Sequence, residues 1–240
     1  QDDGLIAYVR DMSGENEISV DVYSRASSEL ITSIEWPRTY AEPQVFVLDD
    51  LNTNGYADIG LFGIVETILT DGSVERKAQL FVKDAYTGET IRAFNWPANW
   101  TEMSFVKLND VNSDGIDDFG LQGRFYIENR PQLIIKDAAS GSTLKTVSYP
   151  DLLNTPVYHQ LSDMNGDGLG EIGLFGRIKS NNKIQIKIAD GDDTDVRLPA
   201  YNIADKWEDV SWHELFDINF DGETDFGMFG ISKDDGRVQL

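Results

Sequence analysis

Stretches of alternating apolar and polar residues recur along the chain and predict β-strands. Residues 79–84, 132–137 and 185–190 share this pattern, and each stretch is rich in Ile, Leu, Val or Phe. Glycine, aspartate and proline separate the stretches, as they do at turns between strands, and no segment shows the apolar period of a helix. The chain is therefore predicted to be all-β.

The predicted strands form a unit that repeats along the chain. Each unit contains four strands, which we name A to D in chain order, and an acidic loop joins strands A and B. The units cover residues 45–102, 103–156 and 157–209, with partial copies at 1–44 and 210–240. Four-stranded antiparallel units that repeat in this way are typical of propeller blades. We predict one repeat domain over residues 1–240, a β-propeller or an open propeller-like array of about four to five blades.

The A–B loop has the same layout in every unit: Asp-x-Asn-x-Asp/Asn-Gly, followed by a carboxylate at position 9. Calcium takes about six to eight oxygen ligands, and alternate positions of one loop can direct them to a common centre. Positions 1, 3, 5 and 9 offer side-chain oxygens, position 7 offers a backbone carbonyl, and the glycine allows the sharp turn. The predicted ligands are Asp50, Asn52, Asn54, Tyr56 and Asp58 in loop one; Asp110, Asn112, Asp114, Ile116 and Asp118 in loop two; Asp163, Asn165, Asp167, Leu169 and Glu171 in loop three; and Asp217, Asn219, Asp221, Glu223 and Asp225 in loop four.

These loops differ from EF-hands, which need a glutamate at position 12 and flanking helices. Position 12 is apolar in every copy, and a glycine-containing predicted strand surrounds it. Up to four calcium ions are predicted. Loop one is predicted to be the weakest site, because Asn54 replaces the aspartate found in the other copies and leaves fewer ligand charges.

The acidic composition narrows the choice of partners. The chain has 20 Lys and Arg against 42 Asp and Glu, a formal charge of −22. This balance argues against nucleic acid and against an anionic membrane surface, both of which attract basic proteins. Cysteine is absent, which excludes disulfides and thiolate metal sites, and no apolar run is long enough for membrane insertion. The N-terminus does not resemble a signal peptide, so a mature or excised fragment is expected.

The acidic loop together with the following Phe62-Gly63, Phe175-Gly176 and Phe229-Gly230 resembles the FG-GAP repeat of integrin α-chain propellers and the related bacterial VCBS repeats. The resemblance covers nearly the whole chain, repeat by repeat. It implies a propeller whose A–B loops bind calcium through the residues named above, and an extracellular protein of the bacterial type. Gln122 stands where the other copies have phenylalanine, and the Gly-Ala-Pro segment is absent.

We predict a non-enzymatic, calcium-stabilised interaction or adhesion module, secreted or at the cell surface, with a protein or glycan ligand. Motifs of serine hydrolases, P-loop proteins and zinc proteases do not occur in the sequence. His159 and His213 fall in predicted strands, where a structural role is favoured. Two alternatives stay open: a lectin-like propeller, and an accessory domain of a secreted polysaccharide-degrading enzyme or toxin.

Tryptophans near the D-to-A connections bear on the lectin alternative, because exposed aromatic rings can stack on sugars. Trp36 and Trp96 recur at the repeat spacing and each precedes a proline. We predict that these two pack between blades. Trp100 and Trp207 are less regular and are predicted to be more exposed.

Overall fold

The computed structural model describes residues 5–10, 17–37, 40–97, 100–125, 127–191, 197–215, 217–218 and 225–239. These residues form strands and turns, and no helix occurs among them. A helix of the length and apolar character needed to cross a membrane is accordingly absent from this part of the chain. The chain divides into two compact units: residues 1–105 with 138–142, and residues 106–137 with 143–240.

Eighteen strands are described. They are β1 (Leu5–Val9), β2 (Glu17–Ser24), β3 (Leu30–Pro37), β4 (Tyr40–Leu48), β5 (Asp58–Ile68), β6 (Val74–Asp84), β7 (Thr90–Asn95), β8 (Trp100–Lys107), β9 (Phe119–Phe125), β10 (Arg130–Lys136), β11 (Thr143–Ser148), β12 (Leu153–Gln160), β13 (Ile172–Ile178), β14 (Ile184–Ala189), β15 (Arg197–Ile203), β16 (Trp207–Glu214), β17 (Phe226–Ser232) and β18 (Val238–Gln239).

The strands form five sheets in which chain neighbours are also spatial neighbours. Sheet 1 contains β1 to β3, sheet 2 β4 to β7, sheet 3 β8 to β11, sheet 4 β12 to β15 and sheet 5 β16 to β18. Every pairing whose register is described is antiparallel. The all-β prediction is confirmed, and so are three complete four-stranded units with an acidic loop after the first strand of each.

Hydrophobic cores lie between the faces of successive sheets. In the first compact unit, Trp36 of sheet 1 shares a core with Ile59 of sheet 2, and both are fully buried. In the second unit, Leu133 of sheet 3 and Leu174 of sheet 4 share a core, and Trp212 of sheet 5 packs on apolar residues of sheet 4. Each of these sheets therefore buries apolar side chains against a neighbour, which is the main source of its stability. Trp36 packs between sheets, as its repeat spacing predicted.

A chain of ion pairs links neighbouring sheets in the second unit. Arg124 of β9 bonds Asp151 in the connection to sheet 4, with Nη1 2.6 Å from Oδ1, and Lys179 just after β13 binds the same carboxylate at 2.6 Å. Arg177, Asp205 and Lys233 repeat the arrangement one sheet further on. Arg124 also donates to the backbone carbonyls of Asn129 and Leu153, so it satisfies several acceptors at once. These groups lie at the ends of the strands away from the acidic loops.

A bulge interrupts the first strand of a sheet and brings it close to a glycine of the second strand. In sheet 2 the register shifts between Ala41 and Gln44, and Glu42 has a φ of 53°. A Cβ on Gly63 would lie 2.9 Å from Tyr40 Cβ and 3.2 Å from the Ala41 carbonyl oxygen. Sheets 4 and 5 repeat the shift, with Gly176 and Gly230 in the place of Gly63. Close packing inside the sheet therefore favours glycine at 63 and 176, whereas a Cβ on Gly230 would meet its nearest neighbour at 3.3 Å and has more room.

The expected exposure of Trp100 is wrong, since its side chain is only 5% exposed. Trp100 opens β8 as Tyr40 opens β4, and Tyr40 is buried against Gly63. In sheets 2, 4 and 5 the opening residue of the first strand packs toward a glycine of the second strand, and Trp100 holds the same position in sheet 3. Trp207, which opens β16, is half-buried for the same reason, because a Cβ on Gly230 would lie 3.5 Å from its Cβ.

Replacing Gly63 with alanine should destabilise the protein by about 1–3 kcal/mol, because the added methyl group overpacks the site against a backbone carbonyl. Gly230→Ala is the matched control: its nearest neighbour would be 3.3 Å from the new Cβ, so its cost should be smaller. Urea unfolding curves of the two variants measure the difference. Equal stabilities for both variants would contradict this explanation.

Candidate metal centre

The turn in each described loop depends on backbone conformations that favour glycine. At position 6, Gly55, Gly115 and Gly168 all have a φ of 92°. Position 4 is also left-handed, with φ of 59° at Thr53 and 61° at Ser113. Such angles suit glycine because a side chain crowds the backbone there. The glycine that the motif requires at position 6 therefore has a direct structural cause.

The aspartate at position 1 folds each loop around its carboxylate. In loop one, Asp50 accepts hydrogen bonds from the backbone N–H groups of Asn54, at 3.0 Å, and of Gly55, at 2.6 Å. Asp110 in loop two and Asp163 in loop three accept the equivalent pair of bonds. Hydrogen bonds from the Gly168 amide and its neighbours lower the pKa of Asp163, so this carboxylate is held ionised.

The side chains at positions 3 and 5 also turn toward the loop backbone. In loop three, Asn165 Oδ1 accepts from the Asp167 amide at 2.9 Å, and Asp167 Oδ1 accepts from the Leu169 amide at 2.8 Å. The same bonds occur in the other two described loops, involving Asn52, Asn54 and Tyr56 in loop one and Asn112, Asp114 and Ile116 in loop two. The structure thus brings the side-chain oxygens of positions 1, 3 and 5 together around one short segment.

The carboxylate at position 9 closes each loop from inside the protein. Asp58, Asp118 and Glu171 are fully buried. One oxygen accepts from the amide at position 2: Leu51 donates to Asp58 at 2.8 Å, and Met164 donates to Glu171 at 2.7 Å. Val111 in loop two and Ile218 in loop four make the same bond to Asp118 and Asp225.

Two of these buried carboxylates carry an oxygen that is not satisfied by the protein. Asp58 Oδ1 and Glu171 Oε1 are buried and have no hydrogen-bond partner among the described residues. A buried anionic oxygen without a donor costs several kcal/mol unless a proton or a cation compensates it, roughly 2–7 kcal/mol even for neutral polar groups. A cation close to these two oxygens would compensate their negative charge.

The acid–base properties of the same carboxylates agree with that conclusion. Burial raises the pKa of Asp58 to about 7, and the nearby charges of Asp84 and Asp50 raise it further. Burial also raises the pKa of Glu171, with Asp163 and Asp167 contributing. Hydrogen bonds from the backbone oppose the rise in both cases but do not cancel it. A divalent cation between the carboxylates would favour their ionised forms instead.

In loops one and three the structure brings in an aspartate that the loop motif did not include. Asp84 at the end of β6 lies opposite Asp58 in the strand register, and its Oδ2 accepts from Asn52 Nδ2 at 2.8 Å. Asp190, just after β14, accepts from Asn165 Nδ2 at 2.9 Å. Asp137 holds the equivalent place after β10 and is buried. This aspartate is the last residue of each alternating stretch, 79–84, 132–137 and 185–190. The loop motif alone did not indicate that it reaches the loop.

The donor set fits calcium better than a softer metal. Among the described residues, no group of three or more His, Cys, Asp and Glu side chains is arranged to hold a metal by itself. The loops instead combine carboxylates with asparagine amides and backbone groups, and such mixed oxygen sets suit calcium. In loop four, Asp217 and Asp225 are described, whereas Asn219, Asp221 and Glu223 lie outside the described residues.

The two histidines lie apart from the loop ligands, on first strands of neighbouring sheets. His159 on β12 pairs with Gly173, and His213 on β16 pairs with Gly227. Burial lowers the pKa of His159, and His213 lowers it further. His213 packs edge-on against Phe229, with ring centroids 5.7 Å apart. These contacts are those of strand residues in a packed sheet.

Comparison with known proteins does not assign the chain to a family: it matches no family model, and no curated protein matches it.

Proposed function

We propose that this chain is a calcium-binding, calcium-stabilised repeat module of the FG-GAP or VCBS type. The observation that carries the proposal is the pair of buried, unpartnered oxygens of Asp58 and Glu171 at the centres of loops one and three. Calcium supplies a divalent charge that takes these oxygens as ligands. The chain supplies a loop already folded by its own hydrogen bonds, so little ordering is needed on binding.

The same reasoning favours the propeller-like arrangement over other all-β folds. Three sheets have four antiparallel strands in chain order, and the cores described above lie between sheet faces. Radial repetition of such sheets is the common way for this type of unit to bury both faces. We propose a propeller or open array in which the calcium loops stabilise the A–B corners, acting outside the cell or at its surface as a non-enzymatic interaction module for a protein or glycan ligand.

Calcium titration by calorimetry tests the metal proposal. Protein stripped of metal should bind up to four calcium ions, with dissociation constants of about 10⁻⁴–10⁻³ M if the loops behave like other extracellular modules. Magnesium should bind more weakly, because it prefers a smaller octahedral site with fewer protein ligands. Absence of heat and of saturation at 20 mM calcium, a concentration of about 20 times the upper limit of that range, would refute the proposal.

Loop one should be the weakest of the described sites, and Asn54→Asp should strengthen it. The side-chain amide of Asn54 donates a hydrogen bond to Asp84. This bond stabilises the Asp84 carboxylate in part, as a bound cation would do more strongly. An aspartate there would add a ligand charge and also repel Asp84 when no metal is bound. We expect about tenfold tighter calcium binding at loop one, following the charge dependence of such sites, together with lower stability in chelator. The NMR amide signal of Gly55 reports on this loop, and an unchanged affinity would contradict the ranking.

A carbohydrate-binding role is favoured by one specific feature near loop one. Tyr56 in the loop and Tyr86 in the following hairpin stack with ring centroids 4.8 Å apart and planes 8° apart. They are 52% and 62% exposed, so aromatic surface faces solvent beside asparagine and aspartate side chains. Loops two and three have Ile116 and Leu169 at the position of Tyr56. A glycan array with the wild type and Tyr86→Ala, each with and without calcium, tests this second candidate; equal glycan signals from both proteins would remove it.

A further inference from the structure

Position 3 is asparagine in all four loops: Asn52, Asn112, Asn165 and Asn219. A carboxylate would give calcium a stronger ligand, since affinity rises with the number of ligand charges. The use of a neutral amide at this position therefore needs a separate explanation, and the hydrogen bonds of loops one and three supply one.

The two ends of each amide have different partners. Asn165 Oδ1 accepts from the Asp167 backbone amide at 2.9 Å, whereas Asn165 Nδ2 donates to Asp190 Oδ2 at 2.9 Å and to Asp167 Oδ2 at 3.1 Å. Asn52 is held in the same way, between the Asn54 amide and Asp84. A side-chain amide can accept at one end and donate at the other, whereas an ionised carboxylate can only accept. An aspartate at position 3 would place its second oxygen against the carboxylate of Asp84 or Asp190.

Asp84, which accepts from the side-chain amide of Asn52, is held in place by the turn between β6 and β7. Asp84 Oδ1 accepts from the Tyr86 backbone amide at 2.9 Å, which leaves Oδ2 directed at loop one. Near loop three the two segments approach so closely that a Cβ on Gly191 would lie 2.3 Å from the Gly170 carbonyl oxygen. Asp190 precedes Gly191, so this contact sets its distance from the loop.

We propose that Asp84 and Asp190 are positioning residues for the calcium sites of loops one and three. Each holds the side-chain amide at position 3 with Oδ1 turned into the loop, where the ion would take it as a ligand. This inference rests on the proposed calcium function. It assigns a role to residues outside the loop motif, and it couples each loop to the end of the third strand of the same sheet. Ligand-orienting partners of this kind typically change metal affinity by about 10- to 100-fold.

The test uses the full chain and the variants Asp190→Ala and Asn165→Ala. Alanine at 190 removes the carboxylate oxygen that accepts from Asn165 Nδ2, so calcium binding at loop three should weaken by about tenfold, the lower end of the range for such partners. The NMR amide signal of Gly168, which donates to Asp163, reports on loop three during the titration. Asp71→Ala is the matched control: it also removes an aspartate, whose carboxylate accepts from the Ser73 backbone amide at an exposed hairpin tip. It should leave the affinity unchanged.

A double-mutant cycle separates positioning from a general effect of charge. If Asp190 acts through Asn165, Asp190→Ala should cost nothing further in the Asn165→Ala background. The same loss in both backgrounds would show that only the charge of Asp190 matters and would overturn the proposal. Wild-type affinity in the Asp190→Ala variant would also overturn it. If the Gly168 signal of the wild-type protein does not respond to calcium at all, the proposed function fails, and the positioning role fails with it.

Discussion

Removal of calcium at pH 8 should lower the melting temperature by about 15–30 °C. Calcium at 100 times its dissociation constant adds about 2.7 kcal/mol per site to the free energy of unfolding. Loops one, two and three, which the structure describes in full, would together add about 8 kcal/mol. For a chain of this size each kcal/mol shifts the melting temperature by about 2–4 °C. The physical cause is the set of buried carboxylates that remain in the folded state without a counter-charge, including Asp58 and Glu171.

Thermal unfolding followed by circular dichroism, in excess chelator and in excess calcium, measures this shift. Addition of calcium beyond the chelator should restore the original melting temperature, and magnesium at the same concentration should restore less of it. The stabilisation should also grow with the logarithm of the calcium concentration, because binding to the folded state alone produces that dependence. A melting temperature that is the same in chelator and in calcium would mean that the loops are ordinary turns.

The turn geometry of the loops follows from local sequence chemistry, because the bonds that shape them span few residues. Asp163, for example, bonds amides three to five positions away, and Glu171 bonds the amide of Met164 seven positions away. Spacing alone therefore carries most of the loop geometry. The all-β character and the four-strand units were predictable for a similar reason, since each strand pairs with its neighbour in the chain.

The parts that sequence reasoning missed depend on contacts between distant residues. Asp190 meets Asn165 only because β13 and β14 pair in one particular register, which puts Glu171 and Asp190 at adjoining ends. Trp100 was expected at the surface although it shares the repeat position of Tyr40, which is also buried. Repeat position was the better guide in both cases, because residues at equivalent positions meet equivalent neighbours.

The paired carboxylates Asp58 and Asp84 give the metal-free protein an unusual dependence on pH. Asp58 titrates near pH 7 in the folded state, against an ordinary value of 3.8. Between these two values the folded protein binds more protons than the unfolded chain, so the free energy of unfolding falls as pH rises. The contribution of Asp58 is complete below about pH 4 and is lost above about pH 7, a change of up to about 4 kcal/mol. A calcium ion bound at loop one would replace this proton, so the calcium affinity of loop one should rise over the same interval.

Replacing Asp58 with asparagine should remove most of this dependence. The amide oxygen can still accept from the Leu51 backbone amide, but the charge that opposes Asp84 and Asp50 is gone. In metal-free urea unfolding between pH 5 and pH 8, the wild type should lose about 2–3 kcal/mol relative to Asp58→Asn, because the loss is about 1.4 kcal/mol per pH unit and ends near pH 7. Asp71→Asn removes an exposed carboxylate whose pKa is lowered by its bonds to Ser73, so its curve should run parallel to that of the wild type over this interval. If the free energies of unfolding of the wild type and Asp58→Asn changed with pH in parallel, Asp58 would already be ionised in the metal-free fold. The protein alone would then stabilise this carboxylate, and loop one would not require a cation.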